Sequence, residues 1–205
     1  MAARATLQPG DRLVCLGDSI TADPHGYVTL AQQVLAVSRP GAEVINAGVA
    51  GHTAANLAAR FRRDVLEREP SWATISVGGN DAVHGVSVAK YERALQAMID
   101  AAQAAGVSVA LCTPTPVEPG FTGAPVDAVN ALVAQYAGRI EAMAGEQSLL
   151  LIPMHAVFRL VHEASDPADP VRLTHDGVHM SPAGRYLMGL TFLAAFGVSL
   201  EPSAN

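Results

Sequence analysis

Close to the start of the chain, Gly17-Asp18-Ser19-Ile20-Thr21 follows a short apolar run and sets a serine on a tight turn. A serine hydroxyl is a poor nucleophile until a base takes its proton and a third group orients that base. Both are offered near the other end, in Thr174-His175-Asp176-Gly177-Val178-His179. There Asp176 and His179 are three apart, close enough in one turn for the carboxylate to hold a ring nitrogen of the histidine. Attack on an ester carbonyl also needs donors aimed at the developing oxyanion. Asn46-Ala47-Gly48-Val49-Ala50-Gly51-His52-Thr53 can supply a glycine N–H with no side chain in its way, and Gly78-Gly79-Asn80-Asp81 can turn the Asn80 amide inward.

Each of these residues also has a plainer reading. Ser19 can be a turn residue or the cap of the next helix, and Asn80 can bond its own backbone. Asp18 reads as a structural hydrogen-bonding residue beside the site. His175 is expected to point away from Asp176 and His179. The three together can bind a metal, but no further ligand cluster sits at a fitting spacing, so no metal is expected. His25, His84, His155 and His162 have no partner readable from the sequence. Gly78-Gly79 is followed by no phosphate-cradling pattern, so no cofactor is expected.

These segments must be positioned by something. From residue 12 the chain alternates short β-branched runs with longer helical patterns, each change marked by Gly, Pro, Asn or Asp. Strands are expected over residues 12–16, 43–46, 73–77, 107–112 and 149–152, all apolar enough to be buried on both faces. Helices are expected over 27–37, 54–66, 87–105, 126–144 and 182–195. In the third, Ser87 can cap, Tyr91, Leu95, Met98 and Ala102 share one face, and Gly106 ends the run. The last has Ser181 as cap and Pro182 at its first position. The order is βαβαβαβαβ and a final helix, which predicts a three-layer α/β/α sandwich on a five-stranded parallel sheet, flavodoxin-like, as one domain over 1–205 with its core at about 10–198. Ser19, the two donor turns and the loop at 113–125, rich in Pro and Gly, then all follow carboxyl ends of strands, where such sheets bind ligands.

Composition narrows the classes. The 205 residues carry 13 Lys and Arg against 19 Asp and Glu, a formal charge of −6, and Lys90 is the one lysine. No basic face exists to neutralise phosphates, so nucleic acid is not an expected partner. Half the residues are apolar and 16% are charged, which excludes disorder for most of the chain. Cys15 and Cys112 lie in apolar runs without a second thiol at redox or metal spacing and read as buried free thiols. Residues 1–10 match neither a signal nor a transit peptide, and the lipophilic stretch at 186–198 falls short of the ~20 residues a membrane span needs, so a cytoplasmic protein without membrane insertion is expected. The oligomeric state is not readable.

In order along the chain, the four segments resemble the four motif blocks of the SGNH hydrolases, also called the GDSL esterase and lipase superfamily. Gly17-Asp18-Ser19-Ile20 resembles the nucleophile block, with Ile20 in place of the commoner Leu. The resemblance implies that Ser19 is the nucleophile and its N–H one oxyanion donor. The family's oxyanion glycine falls on Gly51, with Gly48 its nearest competitor. Gly78-Gly79-Asn80-Asp81 is similar to the Gly-x-Asn-Asp block and makes Asn80 the third donor, while Asp176-x-x-His179 completes a Ser-His-Asp triad. His52 stands where many relatives carry Asp, so it is expected to touch substrate choice. A cofactor-free serine esterase acting on a small ester through an acyl-enzyme is implied. Thioesterase, lysophospholipase or carbohydrate acetylesterase activity is the alternative within the family, and a non-catalytic flavodoxin-like binding module the alternative outside it. The loop at 113–125 and the approach at 21–27 are expected to form the walls of the site.

Overall fold

The computed structural model describes residues 6–166 and 168–198. Side chains alternate across a strand, and β1 (Arg12–Gly17) uses both faces: Val14 and Leu16 enter one apolar cluster, Leu13 and Cys15 the other. β4 (Ser108–Cys112) repeats the pattern with Val109 and Leu111 against Ala110 and Cys112. Two-sided burial is what a parallel sheet covered by helices on both faces requires. With β2 (Glu43–Gly48), β3 (Trp72–Ser76) and β5 (Leu150–Ile152) the order is β2-β1-β3-β4-β5, every pair parallel. The edge strands depart from the expectation of full burial. Glu43 and Asn46 of β2 are exposed, and Leu150 and Leu151 of β5 are half-buried, because each edge lacks a neighbour on one side.

One face carries α3 (Ala54–Asp64), α5 (Val88–Ala104) and α6 (Val126–Gln147), packed through Leu57, Phe61, Leu95, Met98, Val133 and Ile140. Tyr91 and Tyr136 stack there with ring centroids 4.1 Å apart. The other face carries α2 (Tyr27–Ser38), α7 (Met154–Ala164) and α8 (Pro182–Ala195), where Tyr27 packs on Phe192. Ser87 sits at the cap position of α5 without a side-chain bond, whereas Ser181 caps α8 by accepting from Gly184 N–H. Three helices were not expected: α1 (Ser19–Ala22), α4 (Gly79–Val83) and α7. The first two are single turns with no room for a periodic pattern. In α7 only Met154 and Phe158 are buried, too few to stand out. Cys15 and Cys112 are buried free thiols, as read. Among the described residues no helix is long and apolar enough to cross a membrane.

Chain order reverses direction between β1 and β3, since β2 lies on one side of β1 and all later strands on the other. A crevice opens at the carboxyl ends of such a pair. Gly17 of β1 pairs with Ser76 of β3 at that end, so the segments that begin at Asp18 and Val77 leave the sheet side by side.

Candidate active site

Asp18 caps α1 by accepting from Ile20 N–H at 3.0 Å, and this turn sets Ser19, half-buried, at the mouth of the crevice. Burial pushes the Asp18 carboxyl up to about 6, against the pull of the Ile20 N–H. Its buried, capping place fits the structural role read from the sequence.

The turn with Asp176 and His179 closes on Ser19 from the far end of the chain. His179 Nε2 stands 3.1 Å from Ser19 Oγ, and His179 Nδ1 stands 2.7 Å from Asp176 Oδ2. The other carboxylate oxygen accepts from the backbone N–H of Val178 at 2.9 Å and of His179 at 2.7 Å. Partial desolvation alone would raise the Asp176 carboxyl, but the histidine ring and the two N–H donors outweigh it and hold it well below the usual carboxylate range. His175 does not point away as expected. Its ring stacks on His179 with centroids 6.1 Å apart, and its Nε2 is 3.9 Å from Asp176 Oδ2. The ligand atoms of His175, Asp176 and His179 lie within 4.8 Å of one another, so this exposed group has the donor set of a cation site as well as that of a catalytic dyad.

The two donor turns are pinned to each other. Asn80 Nδ2 donates to the His52 carbonyl at 3.0 Å, and both oxygens of Asp81 accept from Ala54 N–H at 3.1 Å. Gly51 has φ +78°, open to glycine, and its N–H has no partner among the described residues. Gly48 is different: its N–H bonds Asn46 Oδ1, and a Cβ there would lie 2.3 Å from the backbone nitrogen of Ala22. Gly48 therefore serves close packing on α1, and Gly51 keeps the free donor.

Beneath both turns lies Arg60, 6% exposed, which the sequence reading did not single out. Its guanidinium donates to the carbonyls of Gly17 and Ala47, to Asp64 and to His52 Nδ1. Accepting at Nδ1 places the proton of a neutral His52 ring on Nε2, and partial desolvation followed by the Arg60 charge lowers its basicity further. Arg60 follows a capped helix start by one face-length, but nothing local shows that it reaches strand ends.

A cavity of about 430 Å³ lies over Ser19, Asn80, Asp176 and His179, walled by Val83, Val117, Val178 and Phe121. Residues 117 and 120–123 supply the expected loop wall, but the approach at 21–27 does not line it. Thr21 is buried instead, bonded to Tyr27 Oη at 2.9 Å. Gly51 and His52 stand outside this cavity lining, beside Asn80. A small pocket of about 20 Å³ lies behind Ser19's turn, lined by Ile20, Gly79, Pro114, Val117 and Val178 among others.

The chain was compared with known proteins on this footing. An acetylxylan esterase of Geobacillus stearothermophilus is 28% identical over 92% of this chain and 94% of that protein. Its crystal structure superposes with a TM-score of 0.82 at 27% identity, covering 97% of this chain and 99% of that one. Catalytic mutants of that esterase replace a serine, an aspartate and a histidine, the last two three positions apart as Asp176 and His179 are here. Esterase TesA of Pseudomonas aeruginosa is 35% identical over 48% of this chain and 52% of its own length. A model of the GDSL-like lipase/acylhydrolase family matches residues 15–187. That match takes in the carboxyl end of the first strand, the Ser19 turn, both donor turns and the Asp-His turn, and the chain belongs to this family, a serine-type hydrolase of carboxylic esters.

Proposed function

We propose that Ser19, His179 and Asp176 are the catalytic triad of this esterase. The observation that carries the reading is the unbroken line from Asp176 Oδ2 through the His179 ring to Ser19 Oγ, with steps of 2.7 and 3.1 Å. Ser19 attacks the ester carbonyl while His179 Nε2 takes its proton. The N–H groups of Ser19 and Gly51 and the Asn80 amide receive the oxyanion. Collapse of the tetrahedral intermediate expels the alcohol, protonated by His179, and leaves the acyl group on Ser19. Water, deprotonated by His179, repeats the sequence and frees the acid. Asp176 keeps the Nδ1–H tautomer and stabilises the imidazolium in both halves.

The substrate we assign is a short acyl ester, of acetyl size, on a carbohydrate alcohol. The small pocket of about 20 Å³ suits a methyl rather than a chain, since a single water needs roughly 10–15 Å³ on the same measure. The larger cavity is open and carries polar groups from Asn80, Thr122 and Asp176 beside the Phe121 ring, a surface suited to a sugar. The relative that spans nearly the whole chain is an acetylxylan esterase. His52 is assigned to the rim, where its neutral Nε2–H tunes the choice of alcohol.

The test is covalent labelling by a fluorophosphonate together with an ester panel of rising chain length. Labelling at Ser19 in the wild type, none in Ser19→Ala, and turnover falling from acetyl to octanoyl are expected. Turnover by Ser19→Ala within tenfold of wild type overturns the triad, because loss of a triad member costs on the order of 10⁴ to 10⁶. An optimum at long chains overturns the acyl assignment in favour of a thioesterase or lysophospholipase.

A further inference from the structure

The segment that carries Asp176 and His179 belongs to no strand or long helix. Residues 173–181 form a narrow loop closed on itself, with His175 N–H donating to the His179 carbonyl at 2.9 Å and Ser181 N–H to the Leu173 carbonyl at 2.9 Å. Such a loop can pivot as a unit unless something outside it fixes both of its limbs. Leu173 and Met180 anchor its ends in the core, and Glu118, in the loop between β4 and α6, reaches both limbs by hydrogen bonds.

Glu118 is 5% exposed, and its carboxylate accepts four hydrogen bonds. Oε1 takes Leu173 N–H at 3.0 Å and faces His162 Nε2 of α7 at 2.6 Å. Oε2 takes Thr174 N–H at 2.9 Å and Thr174 Oγ1 at 2.5 Å. The backbone of the same residue holds the other limb, since Glu118 N–H donates to the Gly177 carbonyl at 2.8 Å. Contact there is close enough that a Cβ on Gly177, at φ +91°, would stand 2.7 Å from the Glu118 carbonyl oxygen and 2.3 Å from Phe121 N. Burial alone would raise the Glu118 carboxyl, but the donors hold it below the usual glutamate range, so it stays an anion with all its acceptors in use. Val117, directly before it, and Phe121, three residues after it, line the cavity over Ser19.

We propose that Glu118 is a positioning residue for the general base: it fixes the loop of Asp176 and His179 against the wall that holds the substrate. The proposal rests on the triad reading above. Glu118 touches no reacting atom and acts only through the placement of the His179 ring over Ser19 Oγ. One residue thereby ties the substrate wall and the base together, so a substrate that packs on Phe121 bears on the same brace that aims His179.

The experiment uses the full chain as wild type, Ser19→Ala, Glu118→Gln and Glu118→Asp, with p-nitrophenyl acetate as substrate. Active sites are counted by stoichiometric fluorophosphonate labelling, and kcat is expressed per labelled site. Glu118→Gln keeps the shape but sets an NH₂ against N–H donors. It is expected to lower kcat by about 10- to 100-fold with KM within about threefold, the scale of a misplacement near 1 Å. The acid limb of its kcat/KM profile is expected to stay in place, because Asp176 and His179 ride on the same loop and keep their 2.7 Å contact. The other titratable groups facing this region are His175 on the loop, Asp18 at the end of β1, His162 on α7 and Arg172, which bonds the Pro119 carbonyl; they are common to all variants. Glu118→Asp, which keeps the charge, is expected to fall between. Should Glu118→Gln not fold, Thr174→Val, which removes one donor, is read by the same criteria. A loss of labelled sites with unchanged kcat per site would show that Glu118 only holds the fold, and would overturn the proposal. So would unchanged kinetics throughout, with Ser19→Ala inactive and the wild type labelled. Turnover by Ser19→Ala overturns the triad, and the role of Glu118 with it.

Discussion

Asn80 has two N–H bonds on one nitrogen and two duties for them. One holds the His52 carbonyl at 3.0 Å and keeps the Gly51 turn in place; the other, in the mechanism proposed above, meets the oxyanion. Asn80→Ala is therefore expected to lower kcat by about 10² to 10³ with little change in KM, measured by steady-state kinetics on an acetyl ester. His52→Asp replaces an acceptor for the Arg60 guanidinium by a charge. It is expected to shift the ranking of neutral against anionic esters by about fivefold, as exposed charges seldom do more. The proposed triad predicts a third result at the cluster of His175, Asp176 and His179: overnight EDTA leaves turnover unchanged, since in that reading His179 and Asp176 serve each other rather than an ion. At this scale the sequence was legible wherever chemistry fixes residue type. Ser19, Asn80, Asp176 and His179 stand where their motifs put them. Arg60 and Glu118 were not legible, because one of three arginines on a helix and a lone glutamate in a Pro-rich loop carry no local sign of partners 43 and 56 residues away.

Strand ends, more than strands, make this site, and the elements hold those ends by different means. β1 and β2 are stitched below the site by Arg60, whose guanidinium spans the Gly17 and Ala47 carbonyls. Arg60→Met takes a buried donor from both carbonyls, while Asp64 keeps Arg63 and the Gly17 carbonyl keeps Val49 N–H, and is expected to destabilise the protein by about 1–2 kcal/mol in urea melts. The turns of β2 and β3 are held by Asp81 on the first N–H of α3. Periodicity sufficed to find the strands to within a residue or two and all the long helices but α7. It failed where an element buries little, as in α7, or where burial depends on sheet position, as in β2 and β5, since strand order is not written in a local apolar run.

For the molecule as a whole, the buried carboxylates set how stability depends on pH. Burial pushes Asp81 up to about 6, against the pull of Ala54 N–H, while an unfolded Asp titrates near ~3.9. The folded chain thus binds the proton more tightly than the unfolded one, so this contribution is complete below about pH 3.9 and is lost as pH rises through about 6. Asp81→Asn is neutral throughout. Its melting temperature relative to wild type is expected to rise between pH 4 and pH 7, and a constant difference would show that Asp81 is ionised at no cost. Glu118 has the opposite sign: held low, it supports the fold above the unfolded range and withdraws that support in acid. The partners Ser19 and His179 are 160 residues apart, one at the end of an inner strand and the other on a loop ahead of the final helix. No portion of the chain that stops short of His179 can assemble the proposed triad, however well its sheet forms, and long-range closure is slow relative to local structure. On dilution from denaturant, hydrolysis should therefore return later than far-ultraviolet circular dichroism, and during synthesis the nascent chain stays chemically silent until the loop at 173–181 has left the ribosome.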